Sequence, residues 1–211
     1  MNAVMSPAKQ GQSRQRWVWI VASVAVVAAV AAGAVFALRD GDSDDAAGGT
    51  TYRQQTDECV LVSAAVLTRY VPGATCKRTP SMTINPDEIT QTPSWTSDSL
   101  THPTSIQAVL RLVSKSPSAY SRAKASLVDV YQQQLTSAVT ADVATAELGP
   151  LAQEAFVVSG ASKSIPGRSD GRIVVRAGNA VVDIVVTDWT SAAGAEAAAK
   201  AVAADFISNL R

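Results

Sequence analysis

Two cysteines, Cys59 and Cys76, are the side chains of this sequence that are best suited to chemistry. A thiol pair can bind a metal, exchange electrons or form a structural disulfide. The spacing matches neither a Cys-x-x-Cys redox motif nor a zinc pattern, and the single histidine, His102, offers no convincing third ligand. A disulfide would close a loop of about 18 residues and stabilise the fold by about 3 kcal/mol. We therefore predict a structural disulfide, with redox, metal-binding and unpaired thiols as the less favoured alternatives.

The other reactive side chains form no recognisable catalytic pattern. A Ser-His-Asp triad would have to use His102, which precedes a proline. The neighbouring carboxylates Asp87 and Glu88 lie in a proline-rich stretch, where solvation is expected. The glycines of residues 160–171 lack the spacing of a phosphate-binding loop. No catalytic, cofactor-binding or metal-ligating residue is predicted, and we expect a protein that is not an enzyme.

Residues 17–38 form an apolar segment without a charged side chain. At about 1.5 Å per residue a helix of this length reaches roughly 33 Å, enough to cross a bilayer core. Basic residues in the tail 1–16 favour a cytoplasmic N-terminus, so the rest of the chain is expected outside the membrane. A cleaved signal peptide has a shorter apolar core and is the alternative. We predict an uncleaved, single-pass signal anchor.

Residues 39–56 are rich in Asp, Gly, Thr and Gln, which is typical of a flexible spacer. The four aspartates among residues 40–45 could suggest calcium, but a calcium loop also needs a carboxylate placed further on. A solvated linker is the better interpretation. The oxidising compartment that follows from this topology supports the disulfide between Cys59 and Cys76.

Residues 57–211 are predicted to form one α+β domain. The periodicity of apolar residues predicts helices over 57–70, 116–135 and 190–210, and strands over 74–79, 104–113, 154–160 and on both sides of a turn at Gly178–Asn179. The stretch 77–103, with four prolines, is expected to be irregular, apart from a short extended segment near Trp95, which should pack on the core. The helices are expected to cover one face of an antiparallel sheet. The other face, with Arg172, Arg176 and Asp183, should be solvated.

The charge of the chain is balanced, with 18 basic and 18 acidic side chains. A protein that binds nucleic acid usually carries a basic excess or a basic stripe. We therefore expect no nucleic-acid partner and no strongly acidic one.

The layout of the domain resembles the DUF3558 group of actinobacterial cell-envelope proteins. The features that match are the early helix with Cys59, the second cysteine downstream, the segments ELGPLAQEAFVVSG and GRIVVRAGNAVVDIVV, and the alanine-rich final helix. The chain departs from that group in lacking a lipobox cysteine and in having Cys76-Lys77-Arg78 where Cys-x-Trp is common. The resemblance implies a fold and an envelope location, but no activity.

These observations favour a non-catalytic binding or interaction module of the bacterial cell envelope. Its partner is expected to be a protein, a lipid or a cell-wall component, bound through the open sheet face or through residues 77–103. The alternative is an extracellular enzyme or a lipid carrier whose site is assembled only by folding.

Overall fold

The computed structural model describes residues 50–85 and 87–210. The predicted tail 1–16, the predicted anchor 17–38 and residues 39–49 of the predicted spacer lie outside the described residues. In the part that is described, no helix is long and apolar enough to cross a membrane. The expectations for the N-terminal segments therefore stay predictions.

Within these residues the chain forms nine strands, four α-helices and one 3₁₀ helix. The strands are β1 (Thr75–Lys77), β2 (Met82–Asn85), β3 (Glu88–Gln91), β4 (Ser94–Thr96), β5 (Ser105–Val113), β6 (Leu135–Asp142), β7 (Glu154–Ser162), β8 (Ser169–Ala177) and β9 (Ala180–Asp188). The helices are the 3₁₀ helix (Glu58–Leu61), α1 (Ala64–Tyr70), α2 (Ser116–Gln134), α3 (Thr145–Leu148) and α4 (Ala192–Ser208). The predicted α+β class is confirmed.

All the strands belong to one antiparallel sheet with the order β1-β4-β5-β9-β8-β7-β6, and the β2–β3 hairpin joins it beside β5. Its centre is the β8–β9 hairpin, in which Ala177 pairs with Ala180 across the turn Gly178–Asn179. Gly178 has a φ of 54°, a conformation that glycine adopts without the steric cost that other residues incur. The predicted hairpin and its turn are confirmed.

β3 and β4 are two parts of one line of pairing along β5. Gln91 pairs with Leu110 and Ser94 with Gln107, so the register is the same on both sides of the interruption. The interruption falls at Pro93, which has no N–H to give to the ladder. The prediction of an irregular stretch misses β2 and β3, because prolines at a sheet edge interrupt a strand without ending its alignment. The extended segment expected near Trp95 is β4.

One face of the sheet is covered by α4, α1 and the 3₁₀ helix. Alanines let α4 lie close to the sheet, so a side chain at Gly171 would overlap the carbonyl oxygen of Ala195. Side chains without exposed surface in this layer include Trp95, Ile106, Leu110, Ile173, Val182, Ile184 and Phe206. Burying each of them stabilises the fold by roughly 1.5–3 kcal/mol. The prediction that Trp95 packs on the core is confirmed.

α2 lies on the opposite face, so the prediction that helices cover only one face is wrong. Successive strand residues point to opposite faces, and Val174 therefore packs under α2 while Ile173 belongs to the α4 layer. The Ser116 hydroxyl at the start of α2 donates to the carbonyl of Gly178 at 2.6 Å. The physical reason is that the second face carries the apolar side chains of Phe156, Val158 and Val174, which the apolar stripe of α2 covers.

The predicted helix 57–70 is divided at Val62 and Ser63, which have extended backbone. The amide of Ser63 donates to the Asp205 carboxylate of α4 at 2.6 Å, and the Ser63 hydroxyl caps α1 by accepting from the amide of Val66. A side-chain cap of this kind begins a helix. The division lets the 3₁₀ helix and α1 pack separately against α4.

Residues 50–55 form an N-terminal strap that is part of the domain. Tyr52 is 4% exposed, its amide donates to Asn179 Oδ1 at 2.6 Å, and Asn179 Nδ2 donates to its carbonyl at 3.1 Å. The amide of Gln55 donates to the Gln91 side chain at 3.0 Å. The prediction of a flexible spacer up to residue 56 is therefore wrong for residues 50–55. The buried side chain of Tyr52 and the side-chain amides of Asn179 and Gln91 hold these residues in place.

Candidate functional site

Cys59 and Cys76 are joined as a disulfide, the arrangement that the sequence predicts. Cys59 lies in the 3₁₀ helix and Cys76 in β1, with their Cα atoms 5.9 Å apart. Arg78 lies beside the bond, 2.8 Å from a carboxylate oxygen of Asp57 and 3.5 Å from the Cys59 sulfur. The bond fastens the 3₁₀ helix to the edge of the sheet.

His102, Asp87 and Glu88, the other side chains with possible chemistry, are not brought together. His102 is exposed and lies edge-on to Trp189, with ring centroids 4.9 Å apart. Glu88 lies 3.7 Å from Arg111. Among residues 50–85 and 87–210, no three His, Cys, Asp or Glu side chains are grouped as metal ligands.

The most concentrated charges lie under α2. Arg172 of β8 donates to both carboxylate oxygens of Asp183 of β9, and the two residues are 2% and 3% exposed. The Tyr131 ring of α2 covers the guanidinium, whose carbon lies 4.6 Å from the ring centroid. The prediction that Arg172 and Asp183 lie on a solvated face is wrong, because α2 covers the part of the sheet that holds them.

The electrostatics of this buried pair are those of a fixed ion pair. Burial disfavours the charge of Arg172, but the carboxylate of Asp183 and hydrogen bonds to it outweigh burial and raise the pKa of Arg172 above its usual value. Burial raises the pKa of Tyr131, and the positive charge of Arg172 only partly offsets that effect. Arg172 therefore stays charged and Tyr131 stays neutral near neutral pH. The pair of Arg172 and Asp183 is suited to holding β8 against β9.

A second buried carboxylate, Asp170, continues this polar layer towards the start of β8. Asp170 is 6% exposed and accepts hydrogen bonds from Thr187 and from Arg168, both at 2.9 Å. The bond from Thr187 joins β9 to β8, whereas Arg168 lies just before β8, so Asp170 also holds neighbouring strands together. These buried polar groups are therefore better suited to fixing the register of β8 and β9 than to catalysis.

An open sheet surface remains beside α2, with Val185 at its border with the α2 layer. We define it as Ser94, Gln107, Val109, Arg111 and Val185, all half-buried. The residues share one face, because Gln107 pairs with Ser94 on one side and with Val185 on the other. β5 lies inside the sheet and not at its edge, yet its residues alternate between fully buried and half-buried. Such a surface can contact a flat partner through amide, guanidinium and methyl groups.

A strap groove lies between the N-terminal strap and the ends of β3 and β5, with a volume of about 400 Å³. Tyr52, Arg53 and Gln54 form one side, and Ile89, Leu112 and Val113 form the other. The groove is open to solvent and its charged groups lie at the rim, so it does not enclose a reaction site.

No family model, no curated protein and no solved structure matches this chain. Its function is therefore inferred from the geometry of the described residues.

Sequence reasoning missed two polar residues that organise the domain, Gln91 and Asn179. The Gln91 side chain, without exposed surface, donates to the carbonyl of Gln55 at 2.8 Å and to the carboxylate of Glu58 at 2.6 Å. Both residues appear in the sequence as ordinary turn or loop residues. The one available signal was Tyr52, an aromatic residue in a polar segment that otherwise reads as a spacer.

Proposed function

We propose that this chain is a membrane-tethered, extracytoplasmic domain that binds a protein partner of the cell envelope and catalyses no reaction. The observation that carries the proposal is the open sheet surface on β5. β5 is sealed by the α4 layer on one face and half-open on the other, as is common in antiparallel sheets, so the middle of the sheet offers a surface that a partner can reach. A flat surface with methyl groups between polar groups has the character of a protein interface.

The packing of the domain supports a binding module over a lipid carrier or an enzyme. A lipid carrier needs an apolar cavity, but the layer between the sheet and α4 is closed by close contacts such as that of Gly171 with Ala195. An enzyme needs convergent polar groups in a cleft, but the buried polar groups under α2 bond to one another.

The membrane location is supported by the apolar segment 17–38, by the basic residues before it and by the disulfide of Cys59 and Cys76. The resemblance to the DUF3558 group agrees with an envelope location. With the N-terminus in the cytoplasm, residues 39–49 would connect the apolar segment 17–38 to a domain outside the membrane.

Site-specific photocrosslinking of the full chain in intact cells tests the proposal. We place a photoreactive residue at Gln107 on the open sheet surface and, as the control, at exposed Ala197 on the outer side of α4. The expected result is one discrete crosslinked protein from position 107 and none from position 197. The substitution Val109→Lys, which adds a charge to the surface without placing a like charge opposite Asp183, should remove that product.

The same diffuse products from both positions would overturn the proposal, since they would report random neighbours. Crosslinks to cytoplasmic proteins alone would overturn the extracytoplasmic location. The two outcomes therefore test the binding surface and the location separately.

A further inference from the structure

The two edges of the sheet differ in how they are protected. An edge strand presents unpaired backbone groups, and natural proteins blunt such edges with charged side chains, prolines and bulges. The edge formed by β1 and β2 carries Lys77, Arg78 and Pro80, and Cys76 ties it to the 3₁₀ helix. β6 carries neither lysine, arginine nor proline, and among the described residues it pairs with β7 alone.

The backbone groups that β6 leaves unpaired can be identified from one hydrogen bond. The amide of Val143, just past the strand, donates to the carbonyl of Ala155 at 3.0 Å. Bonded and non-bonded pairs alternate along an antiparallel ladder, so Ala141, opposite Val157, also bonds towards β7. Thr140 and Asp142 therefore direct their N–H and C=O groups away from the sheet.

The regular part of this edge begins after a bulge. The register of β6 with β7 shifts between Thr136 and Val139, and Ser137 has a φ of 47°. A bulge of this kind blunts an edge locally. From Val139 to Asp142 the pairing is regular, and Val139 is 54% exposed. A short, extended, uncovered edge with an exposed valine is thus left open.

We propose that β6 pairs with β6 of a second copy of this chain, antiparallel and about a two-fold axis at Thr140. This register places Thr140 opposite the partner's Thr140, so that groups directed outward on each copy meet. It places Val139 opposite the partner's Ala141, an apolar pair on the α4 face. The sheet would then continue from one copy into the other.

The charge pattern of β6 is compatible with a second copy in this register. Asp142 is the only charged side chain of β6, and the axis at Thr140 places it opposite the partner's Ala138 and not opposite the same aspartate. Its carboxylate already accepts from Lys124 at 2.6 Å, within its own copy. Like charges directly opposite each other destabilise a strand pair, and this register avoids them.

The interface is small, and its expected affinity is correspondingly low. Stable interfaces bury about 1,200–2,000 Å² in total, more than an edge of four or five residues supplies. The pairing is therefore expected to be reversible, and a covalent trap is the suitable measurement.

Cysteine trapping of the full chain in its membrane tests the pairing, because the two native cysteines are bonded to each other and leave a clean background. Thr140→Cys is expected to give a disulfide-linked dimer on a non-reducing gel, since opposed residues of a bonded pair have Cα atoms about 5.5 Å apart. The matched control Ala197→Cys should stay monomeric. Equal dimer from both variants, or none from Thr140→Cys, overturns the proposal.

A mixture of two variants tests the register. Val139→Cys and Ala141→Cys should crosslink to each other more than either does to itself. Adding Thr140→Pro to both should abolish the product, because proline removes an outward N–H that the fold itself does not use. Persistence of the product with proline at position 140 would overturn strand pairing, whatever the photocrosslinking of the open sheet surface shows.

Discussion

At the scale of single residues, the Arg172–Asp183 pair shows that a polar residue on an alternating strand need not face water. The two side chains are diagonal neighbours, since Arg172 pairs with Val185 and Asp183 with Val174. A slip of one residue between β8 and β9 would turn one of the charges into the apolar α4 layer. The pair therefore makes a register shifted by one residue less stable than the native register.

Asp183→Asn should lower the free energy of unfolding of the full chain by about 3–5 kcal/mol, because it leaves the buried guanidinium without a counter-charge. Urea denaturation measures this loss. The double variant Arg172→Met with Asp183→Leu removes both charges and should lose less than Asp183→Asn alone. Arg78→Gln breaks an exposed ion pair with Asp57 and serves as the control, with a loss under about 1 kcal/mol. A loss from Asp183→Asn no larger than this control would contradict the assignment.

At the scale of elements, α4 approaches β8 closely at Gly171. Gly171 faces the backbone of Ala195, and the alanines around it keep the helix low on the sheet. The contact depends on backbone atoms, so no rotation of a side chain can relieve it. The approach of α4 to β8 therefore requires a residue without a side chain at position 171.

Gly171→Ala should destabilise the full chain by about 1–3 kcal/mol, as expected when a methyl group is forced into a packed layer. Urea denaturation monitored by circular dichroism measures the change. Adding Ala195→Gly should not restore stability, because the obstacle is the carbonyl of residue 195. Full restoration by that second change would show that a side chain, and not the backbone, limits the approach.

The elements with strong periodicity could be predicted from the sequence. The β8–β9 hairpin has regular alternation around Gly178–Asn179, and α4 has an alanine-rich helical stripe. β6 could not be predicted, because Thr136–Asp142 is mostly exposed and has no apolar alternation. β2 and β3 are hidden by neighbouring prolines, and the face that α2 covers depends on tertiary packing. The sequence predicts an open face with Arg172, Arg176 and Asp183, but α2 covers Arg172 and Asp183, and the open sheet surface on β5 was not predicted.

At the scale of the whole molecule, three of its tyrosines are withheld from water in the folded state. Burial raises the pKa of Tyr52 and Tyr131, and for Tyr120 burial, followed by the carboxylates of Glu154 and Asp142, raises the pKa to about 12. In the unfolded chain a tyrosine loses its proton near pH 10. Above that pH the folded chain holds more protons than the unfolded chain.

The free energy of unfolding should therefore be insensitive to these groups below about pH 10 and should fall as the pH rises from 10 towards 12. Denaturation of the full chain at a series of alkaline pH values measures the slope. Tyr120→Phe removes one of the contributing phenols and should make the fall shallower. An unchanged slope in that variant would contradict the raised pKa of Tyr120.

The strap at residues 50–55 has a mechanical consequence. It is held by the side chains of Asn179 and Gln91, not by a strand ladder, so a pull on the chain ahead of Thr50 would peel it one contact at a time. The peeling would stop at Cys59, whose bond to β1 transfers the load into the sheet. The released length is roughly 30 Å at about 3.3–3.6 Å per residue. The strap would thus extend reversibly under tension, and the disulfide would limit the extension.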